Sequence, residues 1–212
     1  MQALRRSYAR NRHGQRKSGG VLLPSALPSR RRSKGLELFM PNTALQHCFD
    51  NWQDGWCQGA QACKSPNFGA RPTQAVIDLI VVHSISLPPG VYGGGEVQQL
   101  FTNQLNWDAH PYFQSIRGLE VSSHFFIERT GAVWQFVSCN DRAWHAGTSA
   151  YRGRNNCNDD SIGIELEGLE GEMFEDLQYE GLARLCMALG RQYPIAHIAG
   201  HEHIAPGRKK DP

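Results

Sequence analysis

The 212-residue chain carries nine histidines, at positions 13, 47, 83, 110, 124, 145, 197, 201 and 203, and two placements bear on chemistry. His83 closes the β-branched apolar run of residues 74–84, QAVIDLIVVHS. A rigid strand end can hold a ligand while the following loop leaves a cleft. The second placement is residues 200–211, GHEHIAPGRKKD, where two His, one Asp and three bases share a loop-like stretch. A His, His, Asp set offers two imidazole nitrogens and one carboxylate oxygen. That leaves the fourth tetrahedral position to water, the donor pattern of a catalytic zinc, whereas structural zinc sites are closed and rich in Cys. His201 and His203 are two residues apart, so an extended segment would point them the same way. Spacing alone does not choose between them. No H-E-x-x-H helix is present.

The elements that must position these groups follow from apolar periodicity. Residues 74–84 read as a buried strand between Pro72 and Pro88-Pro89-Gly90. Residues 95–105 suggest a short helix with Val97, Leu100 and Phe101 on one face, and residues 122–128 and 132–137 suggest two strands joined at Arg129-Thr130-Gly131. Residues 161–167 alternate. Ile162, Ile164 and Leu166 face one way, and Gly163, Glu165 and Glu167 the other, which reads as a polar face. Residues 176–192 place Leu182, Leu185, Cys186 and Leu189 on one helical face and stop before Pro194. Without repeats or strict βαβ alternation, the pattern predicts a mixed α/β single domain, a central mixed β-sheet flanked by helices.

Residues 1–39 have a different character. Ten Lys or Arg lie up to Lys34 with no acid, and the Arg-, Ser-, Gly- and Pro-rich segment has too little apolar surface to offset its ordering entropy. It reads as a basic, disordered extension, with Met40 an alternative start and residues 40–212 the domain. Its apolar stretch Val21-Leu22-Leu23 is stopped by Pro24 and Pro28, short of the roughly 7–15 residues of a secretory signal. From residue 36 onward twelve bases face twenty acids, so 12 − 20 = −8. A duplex-DNA binder shows basic surface on its folded part, so nucleic acid is not expected as a partner. No apolar run approaches the roughly 20 residues of a membrane-spanning helix. Six cysteines without C-x-x-C spacing read as reduced thiols of a cytoplasmic protein, with a Cys57–Cys63 bridge left open for an oxidising compartment.

Seven segments carry a resemblance: SPNFGARP (65–72), DLIVVHSISLPPG (78–90), AHPYF (109–113), VSSHFFIERTG (121–131), RAWHAGTSAYRGR (142–154), CNDDSIGIELEG (157–168) and GHEHIAPGRKKDP (200–212). On these the chain resembles the AmpD-type zinc amidases of the peptidoglycan-recognition superfamily, which cleave N-acetylmuramoyl-L-alanine bonds. The match covers essentially all of residues 55–212. The resemblance implies one zinc per chain held by His83, His201 and Asp211, with His203 at a variable position. It implies Glu165 as the catalytic acidic residue and Lys209, rather than Lys210, as the catalytic lysine. Trp144 and His145 would wall the sugar or peptide, and Arg154 and Asn158 would meet substrate carboxylates or amides. His110 and His124 are expected to be structural.

The implied reaction is hydrolysis of the bond between (1,6-anhydro-)N-acetylmuramic acid and L-alanine in cell-wall recycling, by a cytoplasmic monomer acting on muropeptides. The alternative is a non-catalytic or exported peptidoglycan-binding or trimming module of the same superfamily, against which the retained ligands, Glu165 and Lys209 argue. Two departures are visible. Ser84 stands where the family commonly has Asn, so altered support of the first ligand is expected rather than loss of metal. An apolar-aromatic segment that follows the third ligand in the family is not present after Pro212, so weaker positioning of Asp211 is expected.

Overall fold

The computed structural model describes residues 48–212. The basic extension expected over residues 1–39, and its boundary with the domain at residue 40, lie outside the described residues. Among those described, six strands form one mixed sheet: β1 (Gln61–Ala62), β2 (Leu79–Ile85), β3 (Phe125–Ile127), β4 (Val133–Gln135), β5 (Ser161–Glu167) and β6 (His197–Gly200). Their spatial order is β6-β2-β5-β3-β4-β1. β6, β2, β5 and β3 run parallel, β4 returns antiparallel beside β3, and β1 pairs parallel with β4. Four helices accompany the sheet: α1 (Glu96–Phe101), α2 (Pro111–Ser115), α3 (Asp176–Gln192) and the single turn α4 (His201–Ile204).

Side-chain alternation along the two long strands splits the molecule into layers. Ile80 and Val82 of β2, with Ile162, Ile164 and Leu166 of β5, pack against Leu185, Ala188 and Leu189 of α3. The same strands turn Leu79 and Val81 toward Ala146, Cys157 and Ile204 on the opposite face. There Phe126 of β3 joins Phe101 of α1 and Phe113 of α2. α3 is held at its start by reciprocal capping between Glu175 and Gln178. The Gln178 amide also donates to the Ile127 and Glu167 carbonyls, 3.1 and 3.0 Å away. That stitches the helix to the ends of β3 and β5 through a side chain with no exposed surface.

The helix over 176–192 and the strand over 161–167 form over the predicted residues. The polar face predicted for residues 161–167 does not occur: all seven residues are buried. A central parallel strand is covered on both sides: Glu167 accepts the loop N–H groups of Gly93 and Arg129, and Glu165, also buried, lies in the wall of a cleft. The strand predicted over 74–84 is shorter at its start, because Pro72 opens a turn closed by the Ala75 N–H on the Pro72 carbonyl at 2.9 Å. The helix predicted over 95–105 ends at Phe101, where Thr102 caps it and Asn103 takes a left-handed φ of 59°. The hairpin at residues 129–131 is present, with Gly131 at φ 81° and its N–H on the Glu128 carbonyl at 2.8 Å.

His124 shows how the interior is sealed. Its Nδ1 accepts the Gly163 N–H at 3.0 Å, and its Nε2 lies 3.1 Å from the Asp141 carbonyl. Burial drives its pKa down to about 3, and the Arg71 charge adds to the shift. A depressed base stabilises the fold fully above its unfolded pKa near 6.5 and loses that contribution as pH falls toward 3. Denaturant titrations between pH 7 and 4 should therefore show His124→Gln removing up to about 1.4 kcal/mol of acid destabilisation per pH unit. Parallel curves for the variant and the parent would show that His124 does not titrate with folding.

Candidate metal centre and active site

The parallel register sets the site. β5 pairs with β2 so that Glu165 lies directly beside His83, both on the face away from α3. β6, on the other side of β2, ends at Gly200 and leads straight into α4, whose first residue is His201. The first two N–H groups of a helix have no partner within it. Here the His201 N–H donates to the Pro212 carbonyl at 2.7 Å and the Glu202 N–H to the Asp211 carbonyl at 2.9 Å. Residues 211 and 212 are thereby fixed against the turn that presents His201. A Cβ at Gly200 would sit 2.1 Å from the Pro212 carbonyl carbon, so this close approach requires glycine. Asp211 is buried and firmly held, not weakly positioned as the sequence led one to expect.

Three side-chain atoms converge at this point. His83 Nδ1 lies 2.9 Å from His201 Nδ1, His201 Nδ1 lies 3.0 Å from Asp211 Oδ2, and His83 Nδ1 lies 3.5 Å from that same oxygen. Donors bound at about 2.0–2.1 Å around a tetrahedral ion are separated by roughly 3.3 Å, so the three spacings match one shared ion. The far nitrogen of each ring also has a partner. His201 turns its Nε2 to the Ala146 carbonyl at 3.3 Å, and His83 turns its Nε2 to His145 Nδ1 at 2.9 Å. A ring that carries its proton on the far nitrogen offers the near nitrogen's lone pair to a cation held between the rings and the carboxylate. Burial lowers the His83 pKa to about 4, against the pull of Asp211. Burial alone would raise the Asp211 carboxyl, but its contacts with His201 and His83 outweigh that and hold it below the usual carboxylate range.

This cluster lies at one end of a cleft of about 560 Å³. Glu165 and Lys209 line the cleft beside His201 and Asp211. The Glu165 Oε2 is buried without a hydrogen-bond partner. Burial raises this carboxyl to about 8; the Asp211 charge adds to the rise and the Lys209 charge opposes it. A family model described as N-acetylmuramoyl-L-alanine amidase matches residues 72–212, which contain every one of these groups. The chain belongs to this amidase family.

Among relatives of the amidase is the 1,6-anhydro-N-acetylmuramyl-L-alanine amidase AmpD of Citrobacter freundii. It is 47% identical over 161 residues, 75% of this chain and 86% of that protein. The AmpD protein of Haemophilus influenzae is 45% identical over 163 residues, 76% of this chain and 89% of that protein. The crystal structure of a selenomethionine AmpD derivative superposes with a TM-score of 0.74 at 48% identity, covering 76% of this chain and 92% of that one.

Of the other residues singled out in the sequence, Trp144 and His145 line the cleft. His145 is buried and also backs His83. Arg154 and Asn158 are placed elsewhere. The Arg154 guanidinium pairs with Asp78 at 2.8 Å and Asp160 at 3.0 Å. The Asn158 Oδ1 accepts the backbone N–H groups of His145 and Ala146 at 3.1 and 2.8 Å, so it shapes the loop rather than facing the cleft. His110 caps α2 by accepting the Tyr112 N–H at 3.1 Å. His203 is exposed, and its Nδ1 accepts the Gly200 N–H at 3.1 Å. Spacing left the two histidines undecided; the segment is a helical turn, in which residues two apart point to nearly opposite sides. Unforeseen were the apolar wall of Tyr112, Ile116, Leu119 and Val121, and Ser161, which sits behind His145. Only the AHPYF segment hinted at the wall, and no spacing signal marks Ser161.

Removal of one histidine separates ligand from bystander. His201→Ala should bind zinc at least about 100-fold more weakly, whereas His203→Ala should bind it like the parent. Competition titration with a chromophoric chelator measures both, and the reverse order would exclude His201 as a ligand.

Proposed function

We propose that this amidase is a zinc enzyme that hydrolyses the amide between the lactyl group of (1,6-anhydro-)N-acetylmuramic acid and L-alanine in muropeptides released during cell-wall turnover. The observation that carries the reading is the convergence of one donor atom each from His83, His201 and Asp211 within 4.8 Å of one another, beside a buried carboxyl with an unpaired oxygen. One zinc per chain would be held there, supplying Lewis acidity that polarises the scissile carbonyl and acidifies a water.

The chain's own groups do the rest. Glu165 takes the proton from the attacking water on its unpaired Oε2 and delivers it to the departing amine of L-alanine. A carboxyl raised toward neutral pH by burial suits both halves of that transfer. The ammonium of Lys209 faces the same space and offsets negative charge as it develops on the carbonyl oxygen. Trp144 and the apolar wall opposite exclude water from the sugar and peptide. The Arg208 guanidinium donates to the Ala146 and Thr148 carbonyls at 2.9 and 2.7 Å, holding the Trp144–Thr148 loop over the metal centre.

The relatives named 1,6-anhydro-N-acetylmuramyl-L-alanine amidase support the anhydro sugar as substrate. All six cysteines, Cys57 and Cys63 included, are free thiols, which suits a reducing compartment and supports a cytoplasmic recycling role. Among the described residues no helix is long and apolar enough to cross a membrane.

Purified protein should contain one equivalent of zinc and release free peptide from anhydromuramyl tripeptide, and a strong chelator should abolish that release. Zinc without turnover would favour a peptidoglycan-binding module instead. Glu165→Gln should retain zinc while kcat falls by about 10²- to 10⁴-fold. Unchanged kcat would remove Glu165 from the proton transfer.

A further inference from the structure

We propose that His145 and Ser161 form a proton-ordered relay that keeps Nδ1 of His83 bare, and that this relay sets the affinity of the site for its metal. The inference rests on the zinc reading above and deepens it. Its direction follows from one group that can only accept. Ser161 Oγ donates its proton to the Cys157 carbonyl. A hydroxyl has one proton, so toward His145 Nε2, at 3.2 Å, the same oxygen can act only as acceptor. His145 must therefore carry its proton on Nε2. In a neutral ring that leaves Nδ1 as an acceptor, and the His83 Nε2 at 2.9 Å must donate to it. His83 Nδ1 is then left without a proton, facing His201 and Asp211.

The surroundings make the order rigid. The Cys157 N–H is tied to Ser149 Oγ at 3.0 Å, and the His145 N–H to Asn158 Oδ1 at 3.1 Å. The His145 ring lies on Gly163, where a Cβ would come within 2.5 Å of its Cγ; β5 gives up a side chain there to admit the imidazole. The competing order matters because the Asp211 carboxylate would itself attract a proton to His83 Nδ1, and a nitrogen so protonated cannot bind metal. The relay opposes that competition from the far side of the ring. His145 is thus a positioning residue for the first ligand, and Ser161 positions His145.

The test combines zinc affinity with the tautomer read directly in metal-free protein. Two-dimensional ¹H–¹⁵N spectra of the imidazoles should show His83 protonated on Nε2 in the parent and a mixture in Ser161→Ala. By chelator competition, Ser161→Ala and His145→Leu should bind zinc about 10- to 100-fold more weakly. His145→Gln, whose amide oxygen can still accept from His83 Nε2, should recover most of that loss, which a purely space-filling role would not predict. Zinc affinities of Ser161→Ala and His145→Leu within about threefold of the parent, or a parent His83 protonated on Nδ1, would overturn the relay. If His145→Leu fails to fold, Ser161→Ala and the parent spectrum carry the test. A parent that binds no zinc would overturn the zinc reading, while the spectrum of the metal-free protein would still decide the relay.

Discussion

The parallel pairing of β2 with β5 is the constraint on which the site depends. It places Glu165 beside His83 on one face of the sheet, and the same alternation gives the other face to the apolar residues that seat α3. A slip of one residue in this register would turn Glu165 toward the helix and an isoleucine or leucine toward the His83, His201 and Asp211 cluster. Burial of Ile80, Ile162 and Ile164 against Leu185 and Leu189 therefore also fixes the position of the Glu165 carboxyl.

The other two side chains of the cluster, His201 and Asp211, are brought in by short, stiff connections. β6 lies beside β2 and passes into α4 without a loop, so His201 inherits the rigidity of the sheet. Asp211 is placed by backbone bonds to the otherwise unpaired N–H groups at the start of α4. On the other side, half-buried Arg71 holds the strands and loops around the site with hydrogen bonds to the carbonyls of Cys139, Asn158, Asp159 and Ser161. These supports cost the partial desolvation of a guanidinium, yet they hold Ser161 and its neighbours behind His145 and His83.

Electrostatically the centre is assembled in a state that is unfavourable by itself. Two imidazole nitrogens and a carboxylate oxygen meet within 4.8 Å of one another, and a second carboxyl, Glu165, is buried close by. Lys209 offsets part of that negative potential, and a divalent ion would offset the rest. The same arrangement that makes the site avid for a cation also keeps Glu165 ready to exchange a proton near neutral pH.

Much of this was legible in the residues. The apolar runs gave β2, β5 and α3, because hydrophobic periodicity is local and strong there. The GHEHIAPGRKKDP and SIGIELEG segments, read through their resemblance to an amidase family, pointed to His201, Asp211, Lys209 and Glu165, and the apolar strand before them pointed to His83. Tertiary structure decided what periodicity could not. Glu165 looked like a residue on a polar strand face, and only the covering of β5 on both sides made it a buried carboxyl. His201 and His203 looked equivalent until the chain turned helical after Gly200 and sent them to opposite sides. Arg154 and Asn158 carried groups suited to a substrate, but Asp78, Asp160 and the 145–146 backbone claim them. The proton order behind His83 depends on Ser161, His145 and the Cys157 carbonyl meeting across the fold, and hydrogen-bond direction between residues distant in sequence leaves no mark on spacing or composition.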